Sequence, residues 1–248
     1  MKILVCISHV PDTTSKIDFV DDREFNSSGI SFVINPYDEF GLTKSVFIKE
    51  NNGANITVLC VGDSSCESSL RKALAIGADE AVRIDYIPKE SLNVAKLIYD
   101  YIKDKQYDLI ITGRESIDYN SGVVPGVLSK MLNIPFVNAC IGLDIKNNNV
   151  HLKREIDGGI EILESNFPIL IAGQKGLVEE KDLKIPSMRG IMMARKKTLS
   201  VVKPENDLPS SLKLNKYEKP IVKASCKMVD SNNIEELVEL LHKEAKVI

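Results

Sequence analysis

Ile56-Thr57-Val58-Leu59-Cys60-Val61-Gly62-Asp63-Ser64-Ser65-Cys66-Glu67, with the run that follows it to Ile84, decides the fold of this chain. Ile56–Val61 is a short apolar, β-branched run, which suits a strand covered on both faces. Ser64-Ser65-Cys66-Glu67 reads as a capping box, and Gly77 closes the helix that carries Leu70, Leu74 and Ile76. Ala81–Ile84 is then a second buried strand. A strand, a capped helix and another strand make a parallel unit with a right-handed crossover.

The same grammar extends in both directions. Lys2–Ile7 and Asp108–Thr112 are further buried strands. The apolar start meets His9, Pro11 and Asp12 within a few residues, so it reads as a strand and not a leader. Asn35-Pro36-Tyr37-Asp38 places a capping Asn before Pro at the first helical position, with acid in the first turn. That helix should run to about Glu50 and stop at Asn51-Asn52-Gly53. Leu92–Lys105 predicts a third helix, with Val94, Leu97, Ile98 and Ile102 along one stripe. The expected class is α/β: an open, mostly parallel twisted sheet with helices on both faces.

From about Ile141 the pattern changes. Ile141–Ile145, His151–Glu155 and Ile160–Leu163 are separated by Asn147-Asn148-Asn149 and Asp157-Gly158-Gly159, which predicts an antiparallel meander. Phe167–Ala172 reads as one more buried strand. Beyond Gly176 the chain is basic and irregular through Arg195-Lys196-Lys197, carries Pro204, Pro209 and Pro220, and ends in a helix expected over Asn233–Lys246. The expected division is residues 1–185 as the α/β domain and 186–248 as a docking loop and C-terminal arm. An arm with few core candidates needs something to rest on.

Composition narrows the function classes. The 248 residues are 44% hydrophobic and 27% charged with a net charge of −3, which disfavours nucleic-acid phosphate as a partner. No apolar run approaches the roughly 20 residues that span a bilayer, so no membrane insertion is expected. Five cysteines without Cys-x-x-Cys spacing and three scattered histidines indicate neither a disulfide framework nor a metal site, and the cytoplasm is the expected compartment. Cys6, Cys60 and Cys140 lie in apolar runs and should be buried and inert.

In an open parallel sheet, ligands bind at the carboxyl ends of the strands. Three segments end there: Ser8-His9-Val10-Pro11-Asp12, Val61-Gly62-Asp63, and Gly113-Arg114-Glu115-Ser116-Ile117-Asp118-Tyr119-Asn120-Ser121-Gly122. Glycine, hydroxyls and amides ahead of a helix suit a phosphate, although any α/β sheet needs polar loops at these places. The dinucleotide Gly-x-Gly-x-x-Gly, the Gly-x-x-x-x-Gly-Lys-Ser/Thr loop, Gly-x-Ser-x-Gly and His-Glu-x-x-His are all missing. Glu115 and Asp118 read as solvated loop carboxylates more readily than as an acid–base pair. No catalytic residue is assigned, and the chain reads as a carrier and not an enzyme.

Taken in order, several strings resemble the beta subunit of the electron-transfer flavoprotein family. They are Met1–Cys6 leading to Val10-Pro11-Asp12, Asn35-Pro36-Tyr37-Asp38-Glu39-Phe40, and Leu70-Arg71-Lys72-Ala73-Leu74-Ala75-Ile76-Gly77-Ala78-Asp79. Arg154-Glu155-Ile156-Asp157-Gly158-Gly159-Ile160-Glu161 followed by Pro168 is similar to the family hallmark, and Ile191-Met192-x-Ala194-x-Lys196-Lys197 to its docking segment. The resemblance covers residues 1 to about 205. It implies an adenine-nucleotide-binding, Rossmann-like fold and a heterodimer with an alpha subunit that holds the FAD. It also implies structural AMP in this chain, held by Cys6, Asn35, Pro36, Tyr37, Asp38, Val61 and the whole run Gly113, Arg114, Glu115, Ser116, Ile117, Asp118, Tyr119, Asn120, Ser121, Gly122, Val123 and Val124. The electrons would come from flavin dehydrogenases, such as acyl-CoA dehydrogenases, and pass toward a quinone reductase. Met188, Arg189 and Ile191 would form the docking strip, with Glu155 nearby.

Two departures keep an alternative open. Many relatives have Lys-Arg or Lys-Gln where this chain has Ser8-His9, and Asp118–Val124 follows neither of the patterns usual in the family. Electron-bifurcating members hold a second FAD in place of AMP and accept electrons from NADH. A stand-alone nucleotide-binding homodimer is the alternative from another class.

Overall fold

The computed structural model describes residues 1–146, 149–204, 208–222 and 225–248. The turn expected at Asn147 and Asn148 lies outside the described residues. The chain divides into two compact units: Met1–Asp18 with Asn26–Leu214, and Phe19–Phe25 with Asn215–Ile248.

The first unit is a nine-stranded sheet. Its strands are β1 (Lys2–Cys6), β4 (Asn55–Gly62), β5 (Glu80–Asp85), β6 (Leu109–Gly113), β7 (Phe136–Lys146), β8 (Asn149–Ile156), β9 (Gly159–Ser165), β10 (Ile169–Gly173) and β11 (Leu199–Val202). They lie in the order β11-β5-β4-β1-β6-β10-β7-β8-β9, and a separate antiparallel pair joins β2 (His9–Pro11) to β3 (Phe32–Ile34). From β11 to β7 the neighbours run parallel, while β7, β8 and β9 pair antiparallel. The α/β class, the helices on both faces and the meander are thus as the sequence predicts.

Side-chain alternation explains why the central strands must be apolar throughout. Ile3 and Val5 of β1 face one layer with Val58, Ile111 and the helices α1 (Pro36–Asn52) and α2 (Glu67–Ile76). Leu4 and Cys6 face the other, with Leu59, Ile84 and Ile110 under α3 (Ser91–Ile102) and α4 (Val123–Leu132). Each fully buried Leu or Ile contributes about 1.5–3 kcal/mol, so both layers are needed to hold the sheet.

Local structure differs from expectation at instructive places. Asp63, not Ser64, starts the helix after β4: its carboxylate accepts from the Ser65 amide at 2.9 Å and opens a 3-10 turn ahead of α2. Glu67 does not complete a capping box but pairs with the buried Arg83 guanidinium at 2.9 Å. β7 begins at Phe136, not at Ile141, and carries a register shift between Cys140 and Gly142 with Ala139 at φ 50°. That irregularity lets its first part lie parallel to β10 and its second part pair with β8. Residues 188–202, grouped with the arm by sequence, contribute α5 (Met188–Ala194) against α2, and β11 along β5.

In the second unit, α6 (Ile234–Glu239) is capped by Asn233, whose side chain accepts from the Glu236 amide at 3.3 Å, and the helix winds on as a π-helical turn over Leu240–Ala245. Phe19 stacks on Tyr217 with ring centroids 4.7 Å apart.

Candidate functional site

The sheet changes direction between β1 and β6. After β1 the chain builds outward through β4 and β5, then returns through α3 to place β6 on the opposite side of β1. In such sheets the crevice at the carboxyl ends of these two strands is where ligands enter. The β1–β6 ladder pairs Ile3 to Leu109, Leu4 to Ile110 and Val5 to Ile111, and beyond it the two strand ends separate.

Asp38 fills that separation. It stands in the first turn of α1, only 3% exposed, and accepts from the Ser8 amide and the Gly113 amide, each at 2.7 Å. Burial pushes its carboxyl up to about 7, against the pull of these hydrogen bonds and that of Asn35. Gly113 is required by this approach. A Cβ there would overlap Asp38 Oδ1 and lie 2.8 Å from Tyr37 Cβ. Cys6, at the end of β1, is buried, and burial followed by the Asp38 charge pushes its thiol up, so it is no nucleophile at neutral pH.

Asn35 does not cap its own helix. Its Nδ2 donates to the Glu115 carbonyl at 2.9 Å, and its Oδ1 accepts from the Ile117 amide at 3.3 Å. The side chain read as a local cap is a long-range strut for the loop after β6. That loop is also tied internally, because Ser116 and Ser121 exchange backbone hydrogen bonds at 3.1 and 3.3 Å. The Ser121 hydroxyl meets that of Ser91 at 2.8 Å, and the Arg114 amide donates to the Gly173 carbonyl at 2.8 Å.

The predicted nucleotide residues therefore separate into two groups. Asn35, Asp38 and the Gly113 amide form an inner polar cage whose hydrogen bonds are already made, and the buried Cys6 thiol lies within reach of the Asp38 charge. Asp118, Tyr119, Asn120, Gly122 and Val123 are exposed, and Ser121 and Val124 are partly so. Gly122 precedes α4 without any side-chain cap, and no acid stands in the first turn of α4. Val61 and Tyr37 are partly exposed, and Pro36 sets the first turn of α1. The outer face offers the positive end of a helix whose start carries no side-chain cap and no acid.

The docking residues are not one cluster. α5 is anchored by Arg71, whose guanidinium donates to the carbonyls of Ala194 (2.8 Å) and Lys197 (2.9 Å), and Gly190 packs on the Ala75 carbonyl. This turns Met188 (79% exposed), Arg189, Ile191, Met192 and Met193 to solvent. Glu155 lies elsewhere. It is on β8, five strand positions from β4, a separation of about 24 Å at ordinary strand spacing. Its carboxylate accepts from Gln174 Nε2, and Gln174 Oε1 accepts from Arg114 Nη1 at 3.0 Å. Glu155 is thus joined, through Gln174 and Arg114, to the loop after β6. Gln174, 5% exposed, is the linking residue that sequence reading missed; its position directly after an apolar strand was the available signal.

A separate cleft of about 200 Å³ between α1 and β7, lined by Lys44, Phe47 and Asp144 among others, shares no residue with the crevice. Among the described residues no group of three or more His, Cys, Asp or Glu is placed to hold a metal ion. No described helix is long and apolar enough to cross a membrane.

A family model described as an electron transfer flavoprotein domain matches residues 24–207. The chain belongs to the electron transfer flavoprotein beta subunit family. It is 33% identical to electron transfer flavoprotein subunit beta of Bacillus subtilis, over the whole of both chains. It is 32% identical to the Dictyostelium discoideum protein of that name, with all of this chain and 99% of the other aligned. The human protein is 28% identical, with 89% of each chain aligned. The matched span runs from before β3 through the loop after β6, the hallmark string, α5 and β11.

Proposed function

We propose that this chain is the beta subunit of a heterodimeric electron-transfer flavoprotein, carrying electrons from flavin dehydrogenases such as acyl-CoA dehydrogenases toward a quinone reductase. The observation that carries the reading is an open, uncapped helix start at the switch point of a chain that aligns end to end with a named beta subunit. The donor set fits AMP. Its phosphate would meet the amides at the start of α4 and the hydroxyls of Ser116 and Ser121, while Val61 and Tyr37 offer apolar surface to the base. AMP brings no redox chemistry, and its role would be to fix the loop. FAD, which supplies the redox chemistry when bound, would be held mainly by the alpha subunit. The arm from residue 186 onward would wrap that partner.

The exposed strip from Met188 to Met193 fits transient docking. One methionine seated in an apolar pocket contributes about 1.5–3 kcal/mol, enough to orient a partner that must also leave. Arg189, Arg195 and Lys196 would speed encounter with acidic partners, an effect weakened by salt. Five free cysteines fit a reducing compartment such as the cytoplasm.

The test is the nucleotide released by denaturing the heterodimer after purification. AMP and one FAD are expected for each heterodimer. A second flavin in place of AMP would turn the assignment to the bifurcating alternative that accepts electrons from NADH, and no nucleotide beyond a single FAD would refute the crevice reading.

A further inference from the structure

The position of Asp38 asks more of it than packing. The ladder between β1 and β6 ends at Val5 and Ile111, and the Asp38 carboxylate bridges the diverging ends, taking the Ser8 amide on one oxygen and the Gly113 amide on the other. Immediately after Gly113, the loop is held through Glu115 and Ile117 by Asn35, three residues before Asp38 on the same turn. The start of α1 therefore grips the root of the loop at successive points, and Asp38 supplies the contacts that depend on charge.

An ionised carboxylate accepts strongly at both oxygens. Once protonated, one oxygen becomes a donor and a poor acceptor, and one of the two amides loses its partner. An unpaired buried amide does not stay in place without cost, so the strand end carrying it shifts toward water. We propose that Asp38 is a proton-operated latch that, when ionised, clasps the ends of β1 and β6 and holds the loop of residues 113–122 in the form that binds nucleotide. This rests on the nucleotide reading above and goes beyond it by naming what regulates the site.

The surroundings place the transition in the working range. Burial raises the Asp38 carboxyl to about 7, while hydrogen bonds from Ser8, Asn35 and Gly113 hold it down and the Asp118 charge raises it further. The titratable groups acting on it are Asp118 in the loop, Cys6 on β1 and Cys60 on β4. Both thiols stay neutral, the first through burial and the second through its hydrogen bond with Cys66 and then burial. Asp118 is exposed and hydrogen-bonded within the loop, so a phosphate or cation arriving there would feed back on the latch.

The experiment is titration of AMP into the nucleotide-stripped heterodimer at pH 8 and pH 6, at constant ionic strength, for the natural chain and for Asp38→Asn. The ionised fraction of Asp38 falls from about nine-tenths to about one-tenth over that interval. The dissociation constant for AMP should then rise roughly tenfold, because only the latched state binds. The phosphate of AMP also titrates near pH 6, and Asp38→Asn keeps only that dependence. Equal pH slopes for the two proteins overturn the latch. Hydrogen exchange of the Ser8 and Gly113 amides in the nucleotide-free natural heterodimer, corrected for intrinsic rates, gives a second readout independent of the variant's folding. Protection of at least one of these amides should fall at pH 6, and pH-independent protection of both sinks the proposal. Amides that respond to pH in a protein that binds no AMP at either pH would leave the latch standing and remove the nucleotide reading alone.

Discussion

Gly113→Ala tests the crevice at its tightest point. The new methyl group would overlap Asp38 Oδ1 and lie 2.8 Å from Tyr37 Cβ and 3.1 Å from Asn35 Nδ2, with three different side chains in the way. Asp38 is the one that must retreat, and in doing so it gives up the Gly113 amide. A hydrogen bond to a buried charged group is worth about 1.5–3 kcal/mol. Residual overpacking adds about 1–3 kcal/mol. The entropy removed from the unfolded chain returns only about 0.4–1 kcal/mol. The expected net loss is roughly 2–5 kcal/mol, a large share of the roughly 5–15 kcal/mol that holds an ordinary domain together. Gly126→Ala is the matched control. In α4 its methyl would meet only Phe136 Cε1, at 3.8 Å, so the change should stabilise by about 0.5–1 kcal/mol. Urea titration of the purified protein reads both. A Gly113→Ala midpoint at or above the natural one, or a Gly126→Ala midpoint that falls further, would refute the close packing of Asp38 on β6.

Global stability should respond to Asp38 with the opposite sign from the latch. Its folded carboxyl lies at about 7 against an ordinary 3.8, so the native state binds more protons between those values. Its contribution is most favourable below pH 3.8 and is lost as pH rises to about 7, by about 4 kcal/mol in all. Denaturation midpoints of the natural chain and Asp38→Asn should therefore diverge progressively from pH 4 to pH 7; parallel curves would exclude a carboxyl raised by burial. Met188→Ala should leave stability within about 0.5 kcal/mol, since the side chain is 79% exposed. It should slow reduction by a flavin dehydrogenase roughly ten- to hundredfold at limiting partner, and an unchanged rate would exclude Met188 as the anchor. Thiol reagents should modify Cys226 alone in the native protein and all five cysteines in denaturant, because Cys6, Cys60, Cys66 and Cys140 are buried. Rapid native reaction of a second cysteine would contradict that burial.

The strand and helix alternation was legible because burial on both faces leaves a local signature. The strands β1, β4, β6 and β10 are apolar along most of their length, and Gly53 and Gly77 end α1 and α2 where the sequence says they should. Strand order was not legible in the same way. β10 inserts between β6 and β7 after the chain has already made the β8–β9 hairpin, and nothing local to Ile169–Gly173 encodes its neighbours. β7 was partly hidden because Asn138 and the left-handed Ala139 interrupt its period. β11 was hidden by the basic tract beside it. Within the site, residue types were readable but their bonds were not. A capping Asn before Pro is a local pattern, and here its side chain reaches across 80 residues of sequence to the Glu115 carbonyl. Glu155 was grouped with the docking strip, whereas its carboxylate is spoken for by Gln174, which no motif marks.

That division bears on how the crevice can vary. The inner cage is fully hydrogen-bonded and buried, so changing Asn35, Asp38 or Gly113 alters the loop's support before any ligand arrives. Of the outer face, Asp118, Tyr119, Asn120, Gly122 and Val123 are exposed, so side chains there can be exchanged at little expense to folding. On the proposed reading, Asp118–Val124 select the nucleotide while the Asn35–Asp38 turn holds the loop. Transplanting those outer residues from a relative of known nucleotide content should therefore transfer nucleotide preference while leaving the Ser8 and Gly113 amides as protected as before. Loss of their protection in such a chimera would show that cage and face are one unit, and that ligand choice is written into the fold of the strand ends themselves.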